Sequence, residues 1–161
     1  MPFCQSVRKR SYRVDSIYHN VLVQIMVYRV IRNGKKSLSY RIFYCVLEQI
    51  KKDIQRPPLA LLEHAIRAVT PSVHLKGRRL GGRTYQVPIE IRKRRAAIKA
   101  IQWIIKASRN RPRPDIRKCI SAEILNAAQS NGGAARKQRE VHRMAEANKA
   151  FVRYRFHSQL N

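Results

Sequence analysis

Acidic residues are scarce in this chain: nine Asp and Glu stand against 35 Lys and Arg, which gives a formal net charge of +26. Self-repulsion at this level opposes compaction unless a polyanion balances it. The expected partner is therefore a nucleic acid or an anionic membrane surface. We favour a nucleic acid, because the cations are spread over the connections and both termini and are not gathered on one face of an amphipathic helix.

The shortage of acids also leaves little material for catalysis. They occur singly along the chain, so no carboxylate pair presents itself for acid–base or metal work. His142 and Glu146 lie one helical turn apart, but such a pair is more often a surface contact than a site. P-loop, GxSxG and HExxH motifs are absent. We predict that the protein is not an enzyme and that it holds no cofactor or metal.

Cysteines and long apolar runs are few as well. The three cysteines, Cys4, Cys45 and Cys119, are odd in number and form no CxxC motif, which argues against a disulfide framework or a zinc site. No apolar run approaches the roughly 18 residues of a membrane span. The first 13 residues lack the apolar core of a secretory signal and are short for a transit peptide, so we expect the protein to work where it is made.

Helical periodicity dominates what is present, and it predicts six helices with short connections. Asp15 or Ser16 is the expected cap of the first helix, and the predicted inner stripe of the second contains Leu38, Ile42, Cys45, Val46, Gln49 and Ile50. Asn-Gly, Pro-Pro and Thr-Pro pairs mark the helix ends. The predicted helices span about 15–33, 35–55, 58–69, 89–111, 115–130 and 134–156.

Residues 72–90 break this pattern with β-favouring residues on both sides of Gly81-Gly82. Val73 and Leu75 share one face of the first strand, and Tyr85 and Val87 repeat the apolar phase after the glycines. A lone two-stranded ribbon is not stable in water, so it must be attached to the helical body. The predicted fold is mainly α: one domain at 15–156 with a protruding β-hairpin between the third and fourth helices, a basic N-terminal arm at 1–14 and a tail at 157–161.

Basic residues concentrate at places where phosphate binding is physically reasonable. Arg92–Arg95 are four consecutive cations in the first turn of the fourth helix, where they oppose the helix dipole unless an anion lies there. Lys35 and Lys36 open the second helix in the same way. The predicted RNA-binding residues are Arg8, Lys9, Arg10, Lys35, Lys36, Lys76, Arg78, Arg79, Arg83, Arg92, Lys93, Arg94, Arg95, Arg109, Arg111, Arg136, Lys137 and Arg143.

Several stretches resemble one known family. DSIYHNVLVQIMVYRVIRNGKKSLSYRIFY at 15–44 and REVHRMAEANKAFVRYRF at 139–156 resemble the S-seven family of small-subunit ribosomal proteins, bacterial type. RAVTPSVHLKGRRLGGRTYQVPIEIR is similar to the hairpin of that family and AIQWIIKASRNR to its fourth helix. The resemblance covers roughly residues 15–156.

The resemblance implies a protein that binds the 3′ major domain of small-subunit rRNA, nucleates assembly of the subunit head and lines the path of mRNA and exit-site tRNA. It places rRNA contacts at Lys35-Lys36, Lys76, Arg78-Arg79, Arg92–Arg95 and Arg136-Lys137, with Leu80–Arg83 near tRNA and message. The sixth helix and tail would also contact the S-eleven protein. The segment IYHN…GKKSLSY is more similar to plastid members, which implies the chloroplast stroma, with the bacterial cytoplasm as the alternative.

One alternative function from another class stays open at this point. DNA-bending architectural proteins also combine helices with a basic β-arm that carries a proline, here Pro88, and Leu80 is the candidate for an apolar wedge at the tip. A secondary role in binding mRNA as a translational repressor is neither supported nor excluded by the residues.

Overall fold

The structure, a computed structural model, describes residues 14–54, 57–80, 82–112 and 115–155. The described part contains six α-helices: α1 Val21–Val30, α2 Lys36–Ile54, α3 Pro58–Val69, α4 Lys93–Arg109, α5 Ile116–Ala128 and α6 Gly132–Ala147. The strands β1 (Val73–Leu80) and β2 (Arg83–Glu90) lie between α3 and α4, and a 3-10 helix, Lys149–Arg155, follows α6. The predicted mainly α, six-helix fold with a hairpin insertion is confirmed. The predicted arm and tail fall almost wholly outside the described residues.

The core is helical, and α5 lies at its centre, because α5 packs against α2, α3, α4 and α6. Apolar side chains repeat at helical spacing on these helices, and the buried ones pack between neighbouring helices. The largest side chains that are fully buried include Phe43, Leu47, Leu62, Ile101, Ile104, Ile120 and Ile124. The helices therefore share one hydrophobic core, and the hairpin extends from this helical body.

The predicted start of the first helix is wrong. Asn20 caps α1, because its Oδ1 accepts a hydrogen bond from the Leu22 amide at 2.7 Å. His19 has a φ of +46°, a left-handed conformation that prevents the helix from extending further back. Asp15 is 1% exposed and accepts hydrogen bonds from the Tyr18 amide at 3.0 Å and the Tyr44 hydroxyl at 2.8 Å. It holds the chain before α1 against α2.

The predicted inner face of α2 is displaced by about one residue. The structure buries Ser39, Phe43, Val46, Leu47 and Ile50, whereas Leu38 is 45% exposed. The helix carries apolar residues over more than one face, and periodicity alone does not choose between them. Packing against α1, α3 and α5 makes that choice.

The sixth helix is shorter than predicted. It begins at Gly132, and it ends at Ala147, where the amide of Asn148 and its Nδ2 both donate to the Met144 carbonyl. A side chain that bonds its own helix backbone in this way competes with further α-helical bonding. The chain continues as the 3-10 helix, which packs Phe151 on Tyr85 of β2 with ring centroids 5.0 Å apart.

The hairpin is antiparallel, with Val73 opposite Glu90 at its base and Leu80 opposite Arg83 at its tip. Gly82 has a φ of +81°. A two-residue hairpin turn needs such a positive φ, and glycine adopts it easily because it has no side chain. Directly opposed residues share a face, so Tyr85 and Val87 lie beside Arg78 and Lys76, opposite to the face of Val73 and Leu75. β1 packs on α6 and β2 on the 3-10 helix.

Candidate nucleic-acid interface

The first turn of α4 is the most concentrated basic site. Arg92 is the N-cap residue but makes no side-chain capping bond, and no acid occurs in the first turn. Arg92, Lys93, Arg94 and Arg95 are all exposed. The free amides and positive dipole of a helix start attract anions, and four cations add to that attraction. The local geometry therefore suits a phosphate backbone that crosses the start of α4.

A second basic site lies at the other end of α4. A cleft of about 410 Å³ separates the turn between α1 and α2 from the connection between α4 and α5, and Arg32, Lys35, Arg109 and Arg111 line it. Arg109 Nη2 donates to the carbonyls of Arg29 and Val30, each at 3.2 Å, and so satisfies the C-terminal end of α1. Burial, and then the charge of Arg32, lower the pKa of Arg109.

Arg111 is bonded within the protein. Its Nε donates to Oε2 of Glu123 at 3.0 Å, and its Nη2 donates to the same oxygen. Glu123 is 1% exposed, and its Oε1 accepts from the Ala134 amide in the first turn of α6 at 3.0 Å. The guanidinium of Arg111 therefore balances a buried carboxylate and fixes the start of α6.

A third basic site lies beside this ion pair. Trp103, Lys106, Arg136 and Lys137 line a cleft of about 500 Å³ that Arg111 also borders. Trp103 is half-buried and packs against the core. Lys137 Nζ lies 3.0 Å from Glu140 Oε2 on the exposed side of α6.

Sequence reasoning missed two cations of these clefts, Arg32 and Lys106. For Lys106 the sequence did contain a signal: Lys106 follows Trp103 by three residues and therefore lies on the same face of the helix. Arg32 precedes the Asn33-Gly34 turn, in which both residues have positive φ, and this turn aims it into the cleft of Arg109.

The hairpin presents Lys76, Arg79 and Arg83 as exposed cations, whereas Arg78 is half-buried. Pro88 is buried at the base of the ribbon, opposite Leu75, and is far from the tip. Pro88 therefore does not reach the tip, and the candidate for an apolar wedge in the architectural DNA-binding alternative stays Leu80. The side chain of Leu80 lies outside the described part.

The predicted contact residues thus form separate groups. The 17 residues of α4 span roughly 25 Å, so Arg92–Arg95 and the clefts of Arg109 and Arg111 lie at opposite ends of the helix. Arg143 is exposed on α6. Arg8, Lys9 and Arg10 lie outside the described residues.

Other sequence predictions concern sites away from these cations. Among the described residues, no group of three or more His, Cys, Asp or Glu side chains could hold a metal ion. The helices of that same part of the chain are all too short or too polar to cross a membrane. Cys45 is partly buried and Cys119 is buried. His142 has a structural contact, because its Nε2 accepts from the Ser72 amide at 3.3 Å and so joins α6 to the hairpin base.

The exposed cations lie at a helix start, in inter-helix turns and along a β-ribbon. This arrangement on a helical body is typical of basic nucleic-acid-binding proteins. A family model described as ribosomal protein S7p/S5e matches residues 4–149, and the chain belongs to this family. The protein is thus a structural, non-enzymatic component of the small ribosomal subunit, associated there with rRNA and other ribosomal proteins. The match confirms the resemblance to the S-seven family and extends it from residue 15 back to residue 4.

Proposed function

We propose that this protein binds the 3′ major domain of small-subunit rRNA, nucleates assembly of the subunit head and lines the path of mRNA and exit-site tRNA. One observation carries the proposal: Arg92–Arg95 are four consecutive exposed cations at the start of α4, and the first turn of this helix contains no acidic residue. Such a helix start is unfavourable in an isolated protein and favourable against phosphate.

In this proposal the cations form two groups: an anchor, which binds rRNA permanently, and a probe, which contacts mRNA and tRNA. The anchor consists of cations on the helical body: Arg92–Arg95, Lys35-Lys36 and Arg136-Lys137. Arg79 and Arg83 lie near the tip of a ribbon that extends from the body, where they meet the mRNA and tRNA that enter and leave the subunit. The S-eleven protein is the proposed neighbour of α6 and the C-terminal tail.

The proposed location is the ribosome of the plastid stroma, with the bacterial cytoplasm as the alternative. The support for a plastid origin is the segment IYHN…GKKSLSY, which is more similar to plastid members of the family. Incorporation into plastid small subunits in preference to bacterial ones, when both are offered to the purified protein, tests this assignment.

Reconstitution of small subunits tests the division between anchor and probe. Changing Arg92, Lys93, Arg94 and Arg95 together to Ala is expected to abolish incorporation, because the phosphate contacts at the start of α4 are lost. The pair Arg79→Ala and Arg83→Ala is expected to incorporate normally and to weaken exit-site tRNA binding by about tenfold, or roughly 1.4 kcal/mol. Co-sedimentation and tRNA filter binding give the two readouts.

The pair Lys51→Ala and Lys52→Ala serves as the control, since it removes two exposed cations from the last turn of α2. It is expected to leave both readouts unchanged. The reverse pattern, with the hairpin needed for incorporation and the α4 start dispensable, contradicts the proposal. Equal affinity for a folded rRNA junction and for duplex DNA at physiological salt favours the architectural alternative instead.

A further inference from the structure

A groove that differs in character from the basic clefts lies at the base of the hairpin. It has a volume of about 760 Å³ and runs between the start of α1, α3, the hairpin base and the first turns of α4. Its apolar lining consists of Leu22, Ile66, Pro71, Ile91, Ala96 and Ala97. This size is within the range of protein sites that bind ligands, roughly 300–1,000 Å³.

The charges around this groove are balanced, in contrast to the rest of the protein. Glu63 and Glu90 are its acids, and Arg67 and Lys93 are its cations, whereas cations outnumber acids 35 to nine in the whole chain. Glu63 already has partners, since its Oε1 accepts from Asn20 Nδ2 at 3.2 Å and its Oε2 lies 3.7 Å from Arg67 Nη2. Within the part of the chain that the structure describes, Glu90 forms no ion pair.

These features do not suit RNA. A phosphate backbone that entered the groove would approach two carboxylates and would lose hydration against an apolar lining, and the charges of Arg67 and Lys93 are offset by those carboxylates. The cleft at the α1–α2 turn has no acid in its lining, and in the cleft beside Trp103 the acid, Glu123, is neutralised by Arg111. Phosphate therefore has better sites elsewhere on the molecule.

We propose that this groove docks an extended segment of a neighbouring small-subunit protein, with apolar side chains in the lining and a Lys or Arg paired with Glu90. Charge complementarity selects this occupant, because an exposed carboxylate beside an apolar groove favours a basic partner. Glu90 also borders a second groove of about 360 Å³, whose lining is mixed: Val73, Pro88, Ala145 and Val152 are apolar, and Ser72, His142, Glu146 and Lys149 are polar or charged. The docked segment thus meets Glu90 at the boundary between the apolar groove and this mixed groove.

The position of the groove gives this contact a structural role. Lys93 lines the groove, and Arg92, Arg94 and Arg95 are exposed immediately beside it. The docked segment therefore lies next to the rRNA bound at the start of α4, which joins the neighbouring protein to the same region of the subunit. This surface is separate from α6 and the C-terminal tail, where the S-eleven contact is proposed.

Photocrosslinking in reconstituted small subunits tests this proposal. With p-benzoylphenylalanine in place of Ala97, which is partly exposed in the groove, we expect a crosslink to a Lys- or Arg-containing segment of another small-subunit protein, mapped by mass spectrometry. Glu90→Lys in the same protein is expected to lower the crosslink yield by about fivefold, because the rim ion pair becomes a repulsion. Glu48→Lys, which reverses an exposed charge on α2, is expected to leave the yield unchanged.

Several results would overturn the proposal: a crosslink to rRNA, a crosslink to residues 1–13 of the same chain, no crosslink in assembled subunits, or a yield that Glu90→Lys does not change. If the probe at Ala97 prevents incorporation, the same experiment is done with the probe at Arg67, whose side chain is 81% exposed on the rim. If the groove does not dock a neighbouring protein, incorporation and tRNA binding still remain intact. That outcome is therefore distinguishable from failure of the proposed rRNA function.

Discussion

At the residue scale, the buried charge of Glu123 restricts which amino acid can occupy position 132 beside it. The Glu123 carboxylate is nearly inaccessible, and it is stabilised by Arg111 and by the Ala134 amide at the start of α6. A buried ion pair is tolerated when its hydrogen bonds are complete. A Cβ on Gly132 would lie 2.8 Å from Glu123 Oε1, and Gly132 has a φ of +90°. The start of α6 therefore depends on a residue without a side chain.

Gly132→Ala is accordingly expected to lower the free energy of unfolding by about 2–4 kcal/mol, from left-handed strain and from the collision with Glu123. The matched variant is Gly82→Ala, where φ is +81° but no atom lies within 4 Å of the added Cβ. That variant is expected to lose only about 1–2 kcal/mol. Urea unfolding followed by circular dichroism measures both, and equal losses would show that Glu123 does not restrict position 132.

Arg109 and Arg111 show that the sequence alone does not reveal which cations are available to bind RNA. Sequence reasoning grouped both with the RNA-binding cations because they occur in a basic inter-helix turn. The structure bonds Arg109 to carbonyls at the end of α1 and Arg111 to Glu123. A sequence shows the charge of each residue but not whether an internal partner already uses it.

At the scale of the element, local sequence signals located the helices better than they located the helix ends. The starts of α5 and α1 illustrate this. The fifth helix was predicted to begin at 115, and Asp115 is its cap, since it accepts from the Arg117 amide at 2.9 Å, whereas Asn20 was missed in favour of Asp15 or Ser16. Both Asp15 and Asn20 are good capping residues. The long-range hydrogen bond from Tyr44 to Asp15 decides between them.

Asn20→Ala is expected to destabilise the protein by about 1 kcal/mol, since the Leu22 amide loses its acceptor. Asn20→Ser keeps an oxygen acceptor and is expected to recover most of that loss. Ser16→Ala, at the position first considered for the cap, is expected to change stability by less than about 0.5 kcal/mol because Ser16 is exposed. Thermal unfolding of the three variants checks this order, and a larger loss for Ser16→Ala would contradict the assignment of the cap.

At the scale of the whole molecule, the basic sites and the apolar groove lie at different places on the fold. The helical core fixes basic sites at both ends of α4, and the hairpin carries further exposed cations away from the body. The apolar groove lies between the start of α4 and the hairpin base. With a net charge of +26, the assembled protein depends on RNA to offset its self-repulsion.

Salt dependence therefore measures the contribution of each basic site to RNA binding. For a 3′ major domain rRNA fragment, replacing Arg92, Lys93, Arg94 and Arg95 by Ala is expected to reduce the slope of log K against log salt by about 3, from four lost contacts of roughly 0.7–0.9 each. Lys51→Ala with Lys52→Ala is expected to change the slope by less than about 1. Equal slopes for the Arg92–Arg95 variant and the unmodified protein would mean that the start of α4 does not contact phosphate.

The sequence by itself determined the helix count, the place of the hairpin and the basic first turn of α4, because periodicity, Gly-Gly and a run of four cations act over neighbouring residues. Only the tertiary structure decided which face of α2 is buried, which strand residues share a face, and which cations are used internally. It alone brought Glu63, Glu90 and the apolar residues of four elements into one groove. These outcomes depend on contacts between residues far apart in the chain, which no local pattern records.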